Sequence, residues 1–145
     1  MMRYRTALAL IMSIALAAMT RTPVDAGEND AERCVGEINC TVDRLEESLA
    51  NRTVETVTVI DRLLLAGRFE AAAAAARDCV SDSRKDVRAA NTYINRVANL
   101  CIRQLIDQEQ FTEARRLDSY RHAALERVLS ALERQERVLS DALEN

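Results

Sequence analysis

One proline, Pro23, and three glycines, Gly27, Gly36 and Gly67, leave this chain of 145 residues few places where a helix is obliged to stop. Alanine, leucine, arginine and glutamate dominate the rest, and all four favour helices. The expected class is therefore all-α. Residues 27–40 contain Gly27 and Gly36 and show little apolar periodicity, so they read as an irregular arm. Thr41 is a suitable N-cap for a first helix that places Val42, Leu45, Leu49, Val57, Ile60 and Leu64 on roughly one face. Its segment TVETVTVI, 53–60, is rich in β-branched residues, but no second strand-like run exists for it to pair with, so helix is retained there.

Gly67 suits the left-handed conformation that ends a helix, and Phe69 opens a second, alanine-rich one reaching about Ser81. A third is expected over about 85–109, with Val87, Ala90, Ile94, Val97, Cys101 and Leu105 at i, i+3, i+4 spacing. The fourth, about 112–143, carries Leu117, Ala124, Leu125, Val128, Leu132, Leu139 and Leu143. Its near-repeat of ERVLSALE as ERVLSDALE is offset by ten residues and does not return to one helical face, so it reflects biased composition. The expectation is a small disulfide-stapled bundle of about four helices with an irregular N-terminal arm.

Arg3 and Arg5 precede an apolar run from Ala7 to Met19, and Val24-Asp25-Ala26 offers small or β-branched residues where a signal peptidase reads. Residues 1–26 are thus expected to be a signal peptide and 27–145 a single secreted domain. The run is well short of the roughly 20 residues that a spanning helix needs, and no later stretch is apolar enough to span. The whole chain carries a net charge of −3, and loss of Arg3, Arg5, Arg21 and Asp25 makes the remainder more acidic. Nucleic-acid binding depends on cationic neutralisation of phosphates, and the arginines here are dispersed among acids. Nucleic acid is therefore not an expected partner, nor is a membrane after signal cleavage.

Four cysteines, Cys34, Cys40, Cys79 and Cys101, lack the paired knuckles of structural zinc and the C-x-x-C of redox centres. An even count behind a signal peptide points to two disulfides, with three connectivities open. A Cys34–Cys40 bridge would close a tiny loop, whereas bridges from each to Cys79 and Cys101 would fasten the arm to the helices and remove more unfolded-state entropy. The long-range pairing is favoured. Asn39-Cys40-Thr41 and Asn51-Arg52-Thr53 match the glycosylation sequon, although a bridging Cys40 would compete with a sugar on Asn39.

His122 is the sole histidine, and no residues suggest a nucleophile with a base and an orienting group. The carboxylates are abundant but all interspersed with arginines. Neither an enzyme nor a bound cofactor is expected. Three classes remain: a secreted protein that binds another protein through a helical face, a carrier with an apolar pocket, and a structural helical oligomer. Odorant-binding carriers share the size and the helices, but space their first cysteines farther apart than Cys34 and Cys40. With aromatics at 3%, this chain also has little to line such a pocket.

The layout of signal peptide, short helical mature chain, the clasp CVGEINC and the later Cys79 and Cys101 resembles the small salivary proteins of anopheline mosquitoes typified by anophensin and albicin. That resemblance implies an inhibitor of a host defence cascade: the alternative complement pathway through its C3 convertase, or the plasma contact (kallikrein-kinin) system. The partner implied is a host plasma protein. It assigns no functional residue. Helix lengths suggest where a partner surface would lie, because the far end of a fourth helix about 48 Å long should outrun its neighbours. Leu132, Val138, Leu139 and Leu143 would then be only partly covered, bordered by Arg134 and Arg137, and available for a partner or for self-association, unless the first helix, at about 25 residues, is long enough to cover the same stripe.

Overall fold

A computed structural model describes residues 30–144; the expected signal peptide, and residues 27–29 of the expected arm, lie outside them. Three helices account for almost all of this span: α1 (Asp30–Leu65), α2 (Phe69–Asp107) and α3 (Phe111–Glu144). Each packs against both others, and there is no strand among the described residues. The all-α class is as expected, with three helices in place of about four.

Two boundaries expected from sequence are absent. The arm is helix from Asp30 onward. Ala31, Cys34, Ile38, Val42, Leu45 and Leu49 continue one buried stripe at i, i+3, i+4 spacing, and Asp30 and Glu32 sit favourably in the first turn. Gly36 faces solvent within α1, where its backbone entropy costs about 1 kcal/mol relative to alanine without breaking the helix. The second expected break, after Ser81, is also continuous helix, since nothing between Phe69 and Asp107 is a glycine or proline. Ser83 is fully buried there and its Oγ accepts a hydrogen bond from Arg52 Nη1 at 3.0 Å.

Residues 53–60 are helical as expected, and the threonines contribute locally: Thr53 and Thr58 donate their hydroxyls to the carbonyls of Leu49 (2.7 Å) and Val54 (2.9 Å). Both turns close the same way. At the first, Arg68 N–H reaches Leu63 O (2.8 Å) and Gly67 N–H reaches Leu64 O (2.9 Å), with Gly67 at φ 69°. At the second, Gln110 N–H reaches Leu105 O (2.8 Å) and Glu109 N–H reaches Ile106 O (2.9 Å), with Glu109 itself at φ 60°. This is the Schellman closure, and it places a side-chain-bearing residue where glycine is preferred.

The interior divides into two apolar layers. The larger, around Ile38, Leu49, Ile94, Leu105, Leu117 and Val128, surrounds the disulfide end. The smaller consists of Ile60, Ala72, Ala76, Cys79 and Leu139. Between them lies a polar belt. Arg52 pairs with Asp86 at 2.6 Å and donates to Ser83, while Gln135, only 3% exposed, donates Nε2 to Leu49 O (3.1 Å) and Thr53 Oγ1 (3.0 Å).

Candidate functional site

Cys34 and Cys101 form a buried disulfide linking the start of α1 to the last turns of α2. This is one of the long-range pairings favoured from sequence. The second bridge is absent: Cys40 and Cys79 are free thiols, the former exposed and the latter buried. Antiparallel pairing sets Cys34 opposite Cys101 and Arg52 opposite Ser83, so Cys79 lies about sixteen residues, roughly 24 Å along the axis, from the level of Cys40. A disulfide needs Cα atoms within about 7 Å. The helical arm is the physical reason: a flexible 27–40 could carry Cys40 anywhere, whereas α1 fixes it on an outer face.

The two sequons differ in their surroundings. Asn39 is half-buried and its Oδ1 accepts the Tyr120 hydroxyl from α3, whereas Asn51 is open to solvent on α1. On the same stretch of α1, Glu37 Oε1 accepts the Tyr93 hydroxyl from α2 at 2.5 Å. Burial, and then this bond to a carboxylate, pushes the Tyr93 phenol up to about 12. Burial also raises Tyr120 above its ordinary value. His122 is exposed, with Nδ1 2.8 Å from the carbonyl of Asp118 one turn earlier.

The surface expected at 130–143 is only partly as anticipated. Leu139 is 1% exposed and belongs to the core; Leu132 and Leu143 are half-buried against the two apolar layers. Val138, Arg134 and Arg137 are exposed, and Arg134 lies 3.5 Å from Glu46. The far end of α3 is covered because all three helices have similar lengths, about 51–58 Å at 1.5 Å per residue. The expected break near Ser81 would have left it bare; the unbroken α2 is the neighbour that covers it.

What the far end does present is a groove between α2 and α3. Its floor is apolar: Ala76 and Val80 from α2, and Leu139 and Leu143 from α3. Small side chains in the alanine run leave the depression, because alanine projects only a methyl towards the neighbouring helix. Along the α2 rim stand Arg77, Arg84, Lys85 and Arg88; the α3 rim has Glu136 and Ser140. Arg84 pairs with Glu136 at 2.8 Å and Lys85 with Asp82 at 2.8 Å, the latter bond being what raises the lysine's pKa. Arg77 and Arg88 pair with no carboxylate among the described residues and are exposed. The α2 residues do not stand out as one row when the helix is expected to end near Ser81. Their signal was nonetheless present: Arg77, Arg84 and Arg88 recur at helical spacing, while Asp78, Asp82 and Asp86 form a second row every four residues.

No known protein family, curated protein or solved structure matches the chain. Among the described residues no helix is long and apolar enough to cross a membrane, and no group of three or more His, Cys, Asp or Glu side chains is placed to hold a metal ion.

Proposed function

We propose that the protein is a secreted, non-enzymatic inhibitor that works by occupying a surface of another protein. The observation that carries this reading is the α2–α3 groove, where an apolar floor and an arginine-bearing rim lie together on a rigid pair of helices. Apolar anchors and arginines supply much of the energy of protein interfaces. The disulfide supports an extracellular setting, where such bonds persist. Following the resemblance of its layout to anopheline salivary proteins, the target is a host plasma protein of the alternative complement pathway, at its C3 convertase, or of the contact system.

The groove lies open on the surface, which suits a protein partner better than a carried small ligand, since small-molecule sites enclose most of their occupant. The test is capture from plasma with the oxidised recombinant protein, combined with alternative-pathway haemolysis and kallikrein-generation assays. Capture of one component with inhibition of the corresponding assay is expected. No capture and no effect on either cascade would overturn the reading.

A further inference from the structure

We infer that the α2–α3 groove receives an amphipathic helix of the partner protein, with an acidic flank lying along α2. This rests on the protein-binding reading above and names the chemistry of the segment that docks. Ala76 and Val80 on α2, and Leu139 and Leu143 on α3, are spaced i, i+4 and form two apolar rows along the groove. A helix laid between two packed helices presents its own apolar residues at the matching i, i+3, i+4, i+7 spacing. Docked there, it would add a fourth helix to the bundle, and the small floor residues let its backbone approach closely.

Charge sets the composition of that helix's two flanks. The protein is net acidic, yet four of the side chains lining the groove are cationic and one is a carboxylate. The cations lie on α2 from Arg77 to Arg88, a rise of about 16 Å, or three turns. Arg77 and Arg88, at its two ends, make no ion pair among the described residues, so each is available to a carboxylate of the partner. Arginine's planar fork suits carboxylates in particular. The α3 rim, with Ser140 and the already paired Glu136, asks for an uncharged or basic opposite flank.

The experiment uses the full mature chain and three probes: a designed helical peptide with leucines at i, i+4, i+7 and glutamates on one flank, the same peptide with lysines in place of the glutamates, and dodecanoate. Binding is read by fluorescence anisotropy for the peptides and by NMR shift mapping for all three. The acidic peptide should bind and perturb Ala76, Val80, Leu139 and Leu143. Its affinity should fall by about tenfold or more in Arg77→Glu/Arg88→Glu, and should weaken with added salt, as exposed charge contacts do. Both arginines are exposed, so the variant is expected to keep the wild-type melting temperature. Three results would each overturn the inference: equal binding of the lysine peptide, dodecanoate alone shifting the groove residues, or concentration-dependent self-association that shifts them. Plasma capture separates the two levels. If Arg77→Glu/Arg88→Glu retains the partner that wild type captures, the groove assignment fails while the protein-binding reading survives; if wild type captures nothing, that reading fails.

Discussion

Changing Cys34 and Cys101 together to alanine removes the single bridge without adding a thiol to the two already free, Cys40 and Cys79. The two residues are 67 apart in sequence, and closing a loop of that length removes unfolded-state entropy equivalent to about 4 kcal/mol at room temperature. Both side chains are buried, so loss of their sulfur contacts works in the same direction. For a domain of this size, with total stability of roughly 5–15 kcal/mol, the melting temperature should drop by about 15–20 °C. Urea denaturation followed by far-UV circular dichroism gives the free energy, and the helical signal in water shows whether the variant still folds. Cys79→Ala is the paired control: buried but unbonded, it should lose only about 1 kcal/mol. Thiol titration of the oxidised protein in denaturant should find both Cys40 and Cys79, with Cys40 reacting first in the native state. A double variant within about 1 kcal/mol of wild type would refute the loop-entropy reasoning. Absence of free thiols would refute the helical placement of Cys40.

Gly36→Ala should stabilise the protein by about 0.5–1 kcal/mol, because a Cβ there meets no atom within 4 Å and the position is helical; an unchanged or lower urea midpoint would argue that Asp30–Cys40 is not helix in solution. Gln135→Met should leave stability equal or raised by about 1 kcal/mol, since Gln135 Oε1 has no partner in the fold and Thr53 retains its bond to Leu49; a loss exceeding about 1 kcal/mol in denaturation would show that the amide bonds outweigh its desolvation. Tyr93 should ionise near pH 12 by ultraviolet titration. Its folded pKa lies above the unfolded value of about 10, so its contribution to stability is complete below that pH and is lost as pH rises towards 12; Glu37→Gln should bring the titration down.

The first turn is legible from sequence because glycine at Gly67 marks a left-handed position that a side chain disfavours. The second turn falls within a few residues of its expected place even though Glu109 supplies no such mark; there the apolar stripes of Val97, Cys101 and Leu105 on one side and Leu117 and Ala124 on the other bracket the boundary. Two stretches of weak helix formers mislead in the same way, each suggesting a break where the helix continues. Gly36 suggests an irregular arm, although an isolated glycine on a solvent face only lowers helix stability. The second helix is expected to end near Ser81, yet Ser83 is buried against Arg52 within continuous helix, a contact that depends on a residue 31 positions away. Both errors propagated to the site. An irregular arm places no limit on where Cys40 can reach, so the even cysteine count is free to suggest two bridges, and a divided α2 hides the row of arginines that borders the groove.

The polar belt explains why the groove has the composition it has. The smaller apolar layer contains Ala72 and Ala76, whose methyl groups offer little resistance to one helix sliding past another. Apolar packing alone would therefore leave the register at that end weakly specified. Arg52, Ser83 and Asp86 remove the ambiguity: a shift of one turn, about 5.4 Å, would leave a half-buried guanidinium and carboxylate without each other, a penalty of several kcal/mol. Gln135 ties α3 to the same level through Leu49 and Thr53. With both neighbours pinned to α1, Arg84 must face Glu136 and Leu139 must fall beside Ala76, so the apolar floor and cationic rim are brought into line by contacts on the opposite side of α2. Along the acidic row of α2, Asp86 is engaged by Arg52 of α1 and Asp82 by Lys85, and among the described residues no carboxylate lies within ion-pair distance of Arg77 or Arg88.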